Sequence, residues 1–218
     1  MRDLSSAWQA TFDPSDVRRS WAAFHREAMP VIADAHGRSS ALAQQYFNSF
    51  REASGVPGRA VASTARPLDV ERARRALEYS SKITTLRGIA AGKTPTQATN
   101  TALTRTLGTS TRLASEGGRQ TLINTVRDDP QASGWQRITG DNPCEFCAML
   151  SARGGVYSRD GADFEAHDHC GCEVEPVYGR RQLDERQQEF KRLYDEAAKG
   201  SSDPLREFRR AYRQQYGT

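Results

Sequence analysis

Four cysteines, all between positions 144 and 172 of a 218-residue chain, restrict this sequence more than any other feature. They stand as Cys144-Glu-Phe-Cys147 and, further on, as His167-Asp-His169-Cys170-Gly-Cys172. A C-x-x-C turn offers two thiolates to one ion, and a second pair from a distant segment completes a tetrahedron. Thiolate and imidazole ligands with no call for redox chemistry suit zinc. The segment 141–178 is short, acidic and poor in large aliphatic residues. A metal there would supply folding energy that such a segment cannot draw from apolar burial.

Six side chains compete for four ligand positions. On an extended segment Cys170 and Cys172 point to the same side, which favours Cys144, Cys147, Cys170 and Cys172. His167, three residues before Cys170, is the candidate to replace one of them. His169 faces the other way and ranks last. Two disulfides are the alternative, and four cysteines allow three pairings. They need an oxidising compartment, and the N-terminal stretch lacks the apolar core of a secretory signal. Unpaired structural thiols are the third reading.

Three catalytic readings use the same residues. Pro143-Cys144-x-x-Cys147 matches half of a zinc deaminase signature, but the only H-x-E is His25-Arg26-Glu27, far upstream. His167-Asp168-His169 loosely suggests a nuclease of the HNH type; its acidic surroundings disfavour phosphate binding. A Cys147–His167 protease dyad has no local signature. A structural metal site accounts for the residues more simply.

Outside the cluster the chain reads as helices. Val17, Trp21, Phe24, Ala28 and Val31 form an amphipathic stripe, with Pro30 predicted to kink or stop that helix. A second helix is expected over 38–53 with Leu42, Tyr46, Phe47 and Phe50 buried, then a loop over 54–67. A third is expected over 69–90, through Val70, Ala73 and Leu77. Thr94-Pro95 predicts a helix start. Helices over 96–107 and 109–127 follow, the latter weakened or kinked at Gly117-Gly118. Lone helical histidines such as His25 and His36 read as surface or boundary residues, and Trp8 joins the aromatic core. Short strands are expected at 135–139, 156–157 and 172–175, with one helix over 144–152. The tail reads as a solvated amphipathic helix through Leu183, Phe190 and Leu193, with Arg181, Glu185, Glu189 and Arg192, and then a short basic helix. The fold class is thus α+β, mainly α: a helical region over 1–130, a Cys/His-stapled module over 131–178 and a charged helical tail over 179–218.

The net charge of +4 conceals a split. Residues 1–140 hold 19 Lys and Arg against 12 Asp and Glu, 141–178 hold 2 against 8, and 179–218 hold 10 against 7. Arg72, Arg74 and Arg75 form one basic run; Arg206, Arg209, Arg210 and Arg213 form another. Each is a solvated helix face or a contact for DNA or an acidic capsid surface. Tyr212 and Tyr216 interleave with the second run without making a stacking platform. No run of about 18 apolar residues is present, so no membrane partner is expected.

The stretch from Ser115 to Tyr178 resembles the phage minor head protein family typified by the F protein of phage Mu, in the version found in phages of actinobacteria. The residues that carry the resemblance are Trp135, Arg137, Asp141, Cys144, Cys147, Gly154, His167, Cys170, Cys172 and Pro176. The chain departs from the family pattern at His169, and at Ser115-Glu116-Gly117-Gly118, where many relatives have an Arg-Thr-Glu-like signature. The resemblance implies a minor capsid protein, present in few copies near the portal or inside the capsid. It would assist head assembly and genome packaging or delivery. The portal and the major capsid protein are then its partners, with packaged DNA a further candidate contact, and the virion, assembled in the host cytoplasm, its location. Some relatives are labelled capsid maturation proteases, which makes proteolysis the alternative and a DNA-binding or nuclease role in packaging the second alternative.

Overall fold

A computed structural model describes residues 2–58, 60–161, 163–179 and 183–217. The elements run α1 (Arg2–Thr11), α2 (Val17–Ala53), α3 (Val70–Glu78), a π-helical turn (Tyr79–Ile83), α4 (Thr84–Ala90), α5 (Pro95–Asp128), β1 (Gly134–Ile138), α6 (Glu145–Ser151), β2 (Tyr157–Ser158), β3 (Glu173–Val177), α7 (Glu185–Ala198) and α8 (Pro204–Tyr216). The chain is mainly helical with one small antiparallel sheet, as its sequence predicts. Among the described residues no helix is long and apolar enough to cross a membrane. The chain divides into two compact units. The first holds 1–43, 64–120 and 166–169; the second holds 44–63, 121–165 and 170–218.

The first unit is filled by aromatic and aliphatic side chains. Trp8 and Phe12 of the unanticipated α1 region stack at 3.9 Å, and Phe24 meets Trp8 edge-on at 5.1 Å. Ala28, Ile32, Leu68, Ala73, Leu77 and Leu113 complete this core. Trp21 is half-buried, and Val70 lies exposed beside the expected Ala73 and Leu77 stripe. Asp69 caps α3 by accepting the Arg72 N–H at 2.9 Å. The expected single helix over 69–90 contains a π turn. There the buried Thr84 hydroxyl donates to the Tyr79 carbonyl, five residues back, at 3.0 Å.

Three expectations are corrected here. Pro30 does not end α2, which runs through it to Ala53. Pro30 and Arg26, whose carbonyl the proline leaves unpaired, both lie on the exposed side. An unpaired carbonyl on a solvent-facing side costs little, while Phe24, Ala28 and Ile32 on the other side hold the helix to the core. The two helices expected over 96–107 and 109–127 are one helix, α5, opened by reciprocal Thr94 and Gln97 capping bonds of 3.2 and 3.1 Å. Gly117 and Gly118 do not break it. They let α2 approach: a Cβ on Gly117 would strike the His36 carbonyl, and the Gly118 N–H donates to Ser39 Oγ at 3.1 Å. His36 is correspondingly buried, its ring nitrogens 3.0 and 3.2 Å from the Leu113 and Arg66 carbonyl oxygens.

The same close approach explains the third correction. Leu42 is 63% exposed and Tyr46 38% exposed, while His36, Ser40 and Ala43 are buried. Close backbone approach selects small and hydrogen-bonding side chains, so the buried stripe of α2 is rotated from its most hydrophobic one. Further along, within the second unit, Phe47 is fully buried and Phe50 half-buried.

The sheet of the second unit has strand order β2-β1-β3, all antiparallel. Trp135 of β1 pairs with Tyr157 on one side and Pro176 on the other, and its ring stacks on Tyr157 at 4.2 Å. Ala148 and Met149 of α6 pack with Phe190 of α7 and with Phe208 and Tyr212 of α8. The α7 helix is therefore not the solvated element its charge suggests: Phe190 is buried, and Asp184 with Gln187 forms a capping box at its start. Arg181, assigned to this helix from sequence, lies outside the described residues. A buried polar knot adds to this unit. Arg51 Nε donates to Asp129 Oδ2 at 3.0 Å, as does the Tyr178 hydroxyl at 3.0 Å. The remaining Arg51 donors take the carbonyls of Val56, Pro57 and Gly58.

Candidate metal centre

The C-x-x-C pair is positioned by the start of α6. Cys144 is the N-cap, and its Sγ accepts the Cys147 N–H at 3.4 Å. This geometry turns both sulfurs of the pair to one side and supplies a donor that favours the thiolate. Cys170 and Cys172 sit on the extended run into β3, where alternate side chains share a side.

The sulfurs of Cys147, Cys170 and Cys172 lie within 4.8 Å of one another, with Cys147 and Cys170 3.6 Å apart. All three cysteines are buried, and Cys144 is half-buried. A Zn–S bond of about 2.3 Å gives a tetrahedral S···S edge of about 3.8 Å, whereas a disulfide is about 2.05 Å. None of the four cysteines is in a disulfide. The cluster is a ligand set that can hold a metal ion, and the expected alternative of disulfides is not what the structure contains.

The electrostatics fit the same use. Hydrogen bonds with Cys144, Cys170 and Cys172, together with burial, push the Cys147 thiol far above its ordinary range. Contact with Cys147 lowers the Cys172 thiol, but Cys170 and burial outweigh it and leave it at about 11. Crowded thiols in this environment keep their protons until a cation supplies compensating charge.

Arg137 provides part of the setting. On β1 it is 3% exposed, stacked over the Phe164 ring at 3.7 Å, with Nη2 donating to the Glu165 carbonyl at 2.8 Å. Its buried Nε and Nη1 have no hydrogen-bond acceptor among the described residues. Its charge lowers the Cys172 thiol. A divalent ion held by four thiolates carries net negative charge, and a buried cation with spare donors answers it. From sequence, Arg137 is one position of the resemblance and has no assigned role. The available signal is an arginine inside a β pattern, two residues after Trp135, where burial demands a countercharge.

The histidines are placed differently. Residues 166–169 belong to the first unit. There Asp168 accepts from Thr109 Oγ1 at 2.9 Å and Arg112 Nε at 2.8 Å, both on α5. The His169 imidazole occupies the space that a Cβ on Gly108 would need, and its backbone is left-handed at φ 63°. His169 is thus engaged with α5. His167 is exposed, its Nδ1 2.7 Å from the Asp168 carbonyl oxygen. The four cysteines all belong to the second unit.

A comparison with curated proteins finds no match, and a comparison with solved structures finds none. The model of one family, described as VG15 protein, matches residues 1–197, a span that includes every cysteine and the whole sheet. By that match over most of its length, the chain belongs to the VG15 protein family.

Proposed function

We propose that this chain is a structural minor head protein of a phage, and that its cysteine cluster holds one zinc ion that staples the small α+β module. The observation that carries the zinc assignment is the set of three buried, reduced thiols whose sulfurs lie within 4.8 Å of one another. Cys147, Cys170 and Cys172 are three ligands. Cys144 is the fourth, held by the bond to the Cys147 N–H. His167, three residues before Cys170, is the competing fourth donor. Zinc here supplies folding energy and no reaction step.

The head-protein reading is supported by where the residues of the resemblance fall. Trp135 and Arg137 lie on β1, Cys144 and Cys147 at α6, Cys170 and Cys172 before β3, and Pro176 on β3. They build one module rather than a scattered pattern. Its partners on this reading are the portal and the major capsid protein. The protease alternative gains no support from Cys147, which is fully buried and on this reading is committed to the metal.

The test is to purify virions from the phage that encodes the chain. Mass spectrometry should find the intact chain at low copy number, and Cys147→Ser with Cys172→Ser should prevent its incorporation. Absence of the chain from mature virions contradicts the reading. Coexpression with the major capsid protein should leave that protein uncut; a discrete cleavage abolished by Cys147→Ser would establish the protease instead.

A further inference from the structure

The last helix carries an arrangement that the cysteine module does not use. In α8, Leu205, Phe208 and Tyr212 pack with α6 and α7, and the Tyr212 hydroxyl donates to the Pro143 carbonyl at 2.6 Å. This anchoring fixes the rotation of the helix about its axis. Arg206, Arg209, Arg210 and Arg213 then follow at i, i+3, i+4 and i+7, on one separate exposed face. With Gln214 they line a shallow open groove.

The four arginines are not equally committed. Arg213 Nη2 pairs with Glu145 at 2.7 Å, and Arg206 Nε lies 3.3 Å from Glu207. Arg209 and Arg210 have no carboxylate within ion-pair distance among the described residues. Two exposed guanidinium groups, flanked by two more, thus concentrate positive charge on a rigid helical scaffold. The helix also lies beyond the residues matched by the family model.

We propose that this arginine face binds the phosphate backbone of duplex DNA without sequence preference. Three features favour DNA over an acidic protein surface. The cations are all arginine, whose planar fork suits phosphate oxygens in bidentate fashion. The described groove lining is four arginines and a glutamine, with no apolar side chain between them, whereas protein interfaces centre on apolar and aromatic groups. The face is also long enough: from Arg206 to Arg213 the helix rises about 10.5 Å, alongside about six phosphate charges of a duplex. It offers no set of side chains to read bases, since a single glutamine accompanies the four arginines.

The experiment uses the full chain, purified without chelator, and fluorescently labelled 20-base-pair duplexes of two unrelated sequences, with binding followed by anisotropy across salt concentrations. Both duplexes should bind equally, with log affinity falling linearly with log salt. The variant Arg209→Gln/Arg210→Gln should lower that slope by about 1.8, so that between 50 and 200 mM salt it loses about 12-fold less affinity than the native chain. A charge-matched control, Arg18→Gln/Arg19→Gln on α2, should keep the native slope. The proposal is overturned if the native chain does not bind at 50 mM salt or if the α8 variant keeps the native slope. It is equally overturned if the control loses as much slope, or if polyglutamate competes as well per charge as unlabelled DNA. Arg209 and Arg210 are exposed and form no ion pair among the described residues, so unchanged far-ultraviolet circular dichroism should accompany the variant.

Discussion

The two units of this chain fill their interiors by different means. The first stacks Trp8, Phe12 and Phe24 against aliphatic residues of α2, α3 and α5, and owes its order to apolar area removed from water. The second has an apolar interior of its own, with Phe190 and Phe208 in one cluster and Phe47, Ile123, Val126, Trp135 and Val174 also buried. To it are added a group of buried thiols and the Arg51–Asp129–Tyr178 knot. An apolar core tolerates approximate chemistry provided volume is kept. A thiol cluster and a buried ion pair do not, because each group left without its partner is costly. The second unit should therefore respond to chelators and acid, and the first to lost volume.

The largest expected effect is Cys172→Ala. It removes one of the three clustered sulfurs, and apparent zinc contributions of about 10–16 kcal/mol in zinc-finger peptides set the scale of what is lost. Amide exchange across 134–138 and 173–177 should become fast, while amides around Phe24 and Leu77 change far less. Equal loss in both units would erase the proposed contrast. Next comes Phe24→Ala in the first unit, expected to cost about 3–5 kcal/mol in denaturant unfolding. Adding chelator should not enlarge that cost.

Gly117→Ala sharpens the account of α2 and α5. Helix propensity alone predicts a gain of about 1 kcal/mol, but the new Cβ meets the His36 carbonyl, and overpacking of this kind costs about 1–3 kcal/mol. A net loss of thermal stability is expected; a gain would show that the helices are not so close.

The smallest effect concerns pH. Burial raises the Asp129 carboxyl, but bonds from Arg51, the Gln131 N–H and Tyr178 outweigh it and leave it below the ordinary range. A group whose native pKa is depressed stabilises the fold above its unfolded pKa, about 3.9, and loses that contribution as pH falls through the native value. Thermal unfolding from pH 6 to pH 2 should thus fall more steeply in the native chain than in Asp129→Asn. Parallel curves would remove the knot from the account.

Much of the second unit was legible because its chemistry is local. C-x-x-C at the start of a short helix and C-x-C on an extended run announce themselves by spacing, and the three strands follow from Trp135, Tyr157 and the residues after Cys172. The first unit hid more, for tertiary reasons. The penalty of Pro30 is offset by core packing on the other face of α2, and Gly117-Gly118 reads as a breaker until α2 is seen against it. Leu42 looks like core, yet the buried stripe is the one with smaller side chains that permits that approach. Within the second unit, the role of Arg137 depends on burial beside thiols, which no spacing rule reveals.

The central claim is that the clustered cysteines are metal ligands. Native mass spectrometry of the full chain, purified without chelator, tests it directly, with thiol titration on the same sample. The account predicts one zinc per chain and cysteine thiols that react only after chelation. A metal-free chain that keeps its exchange protection across 134–177 would contradict it.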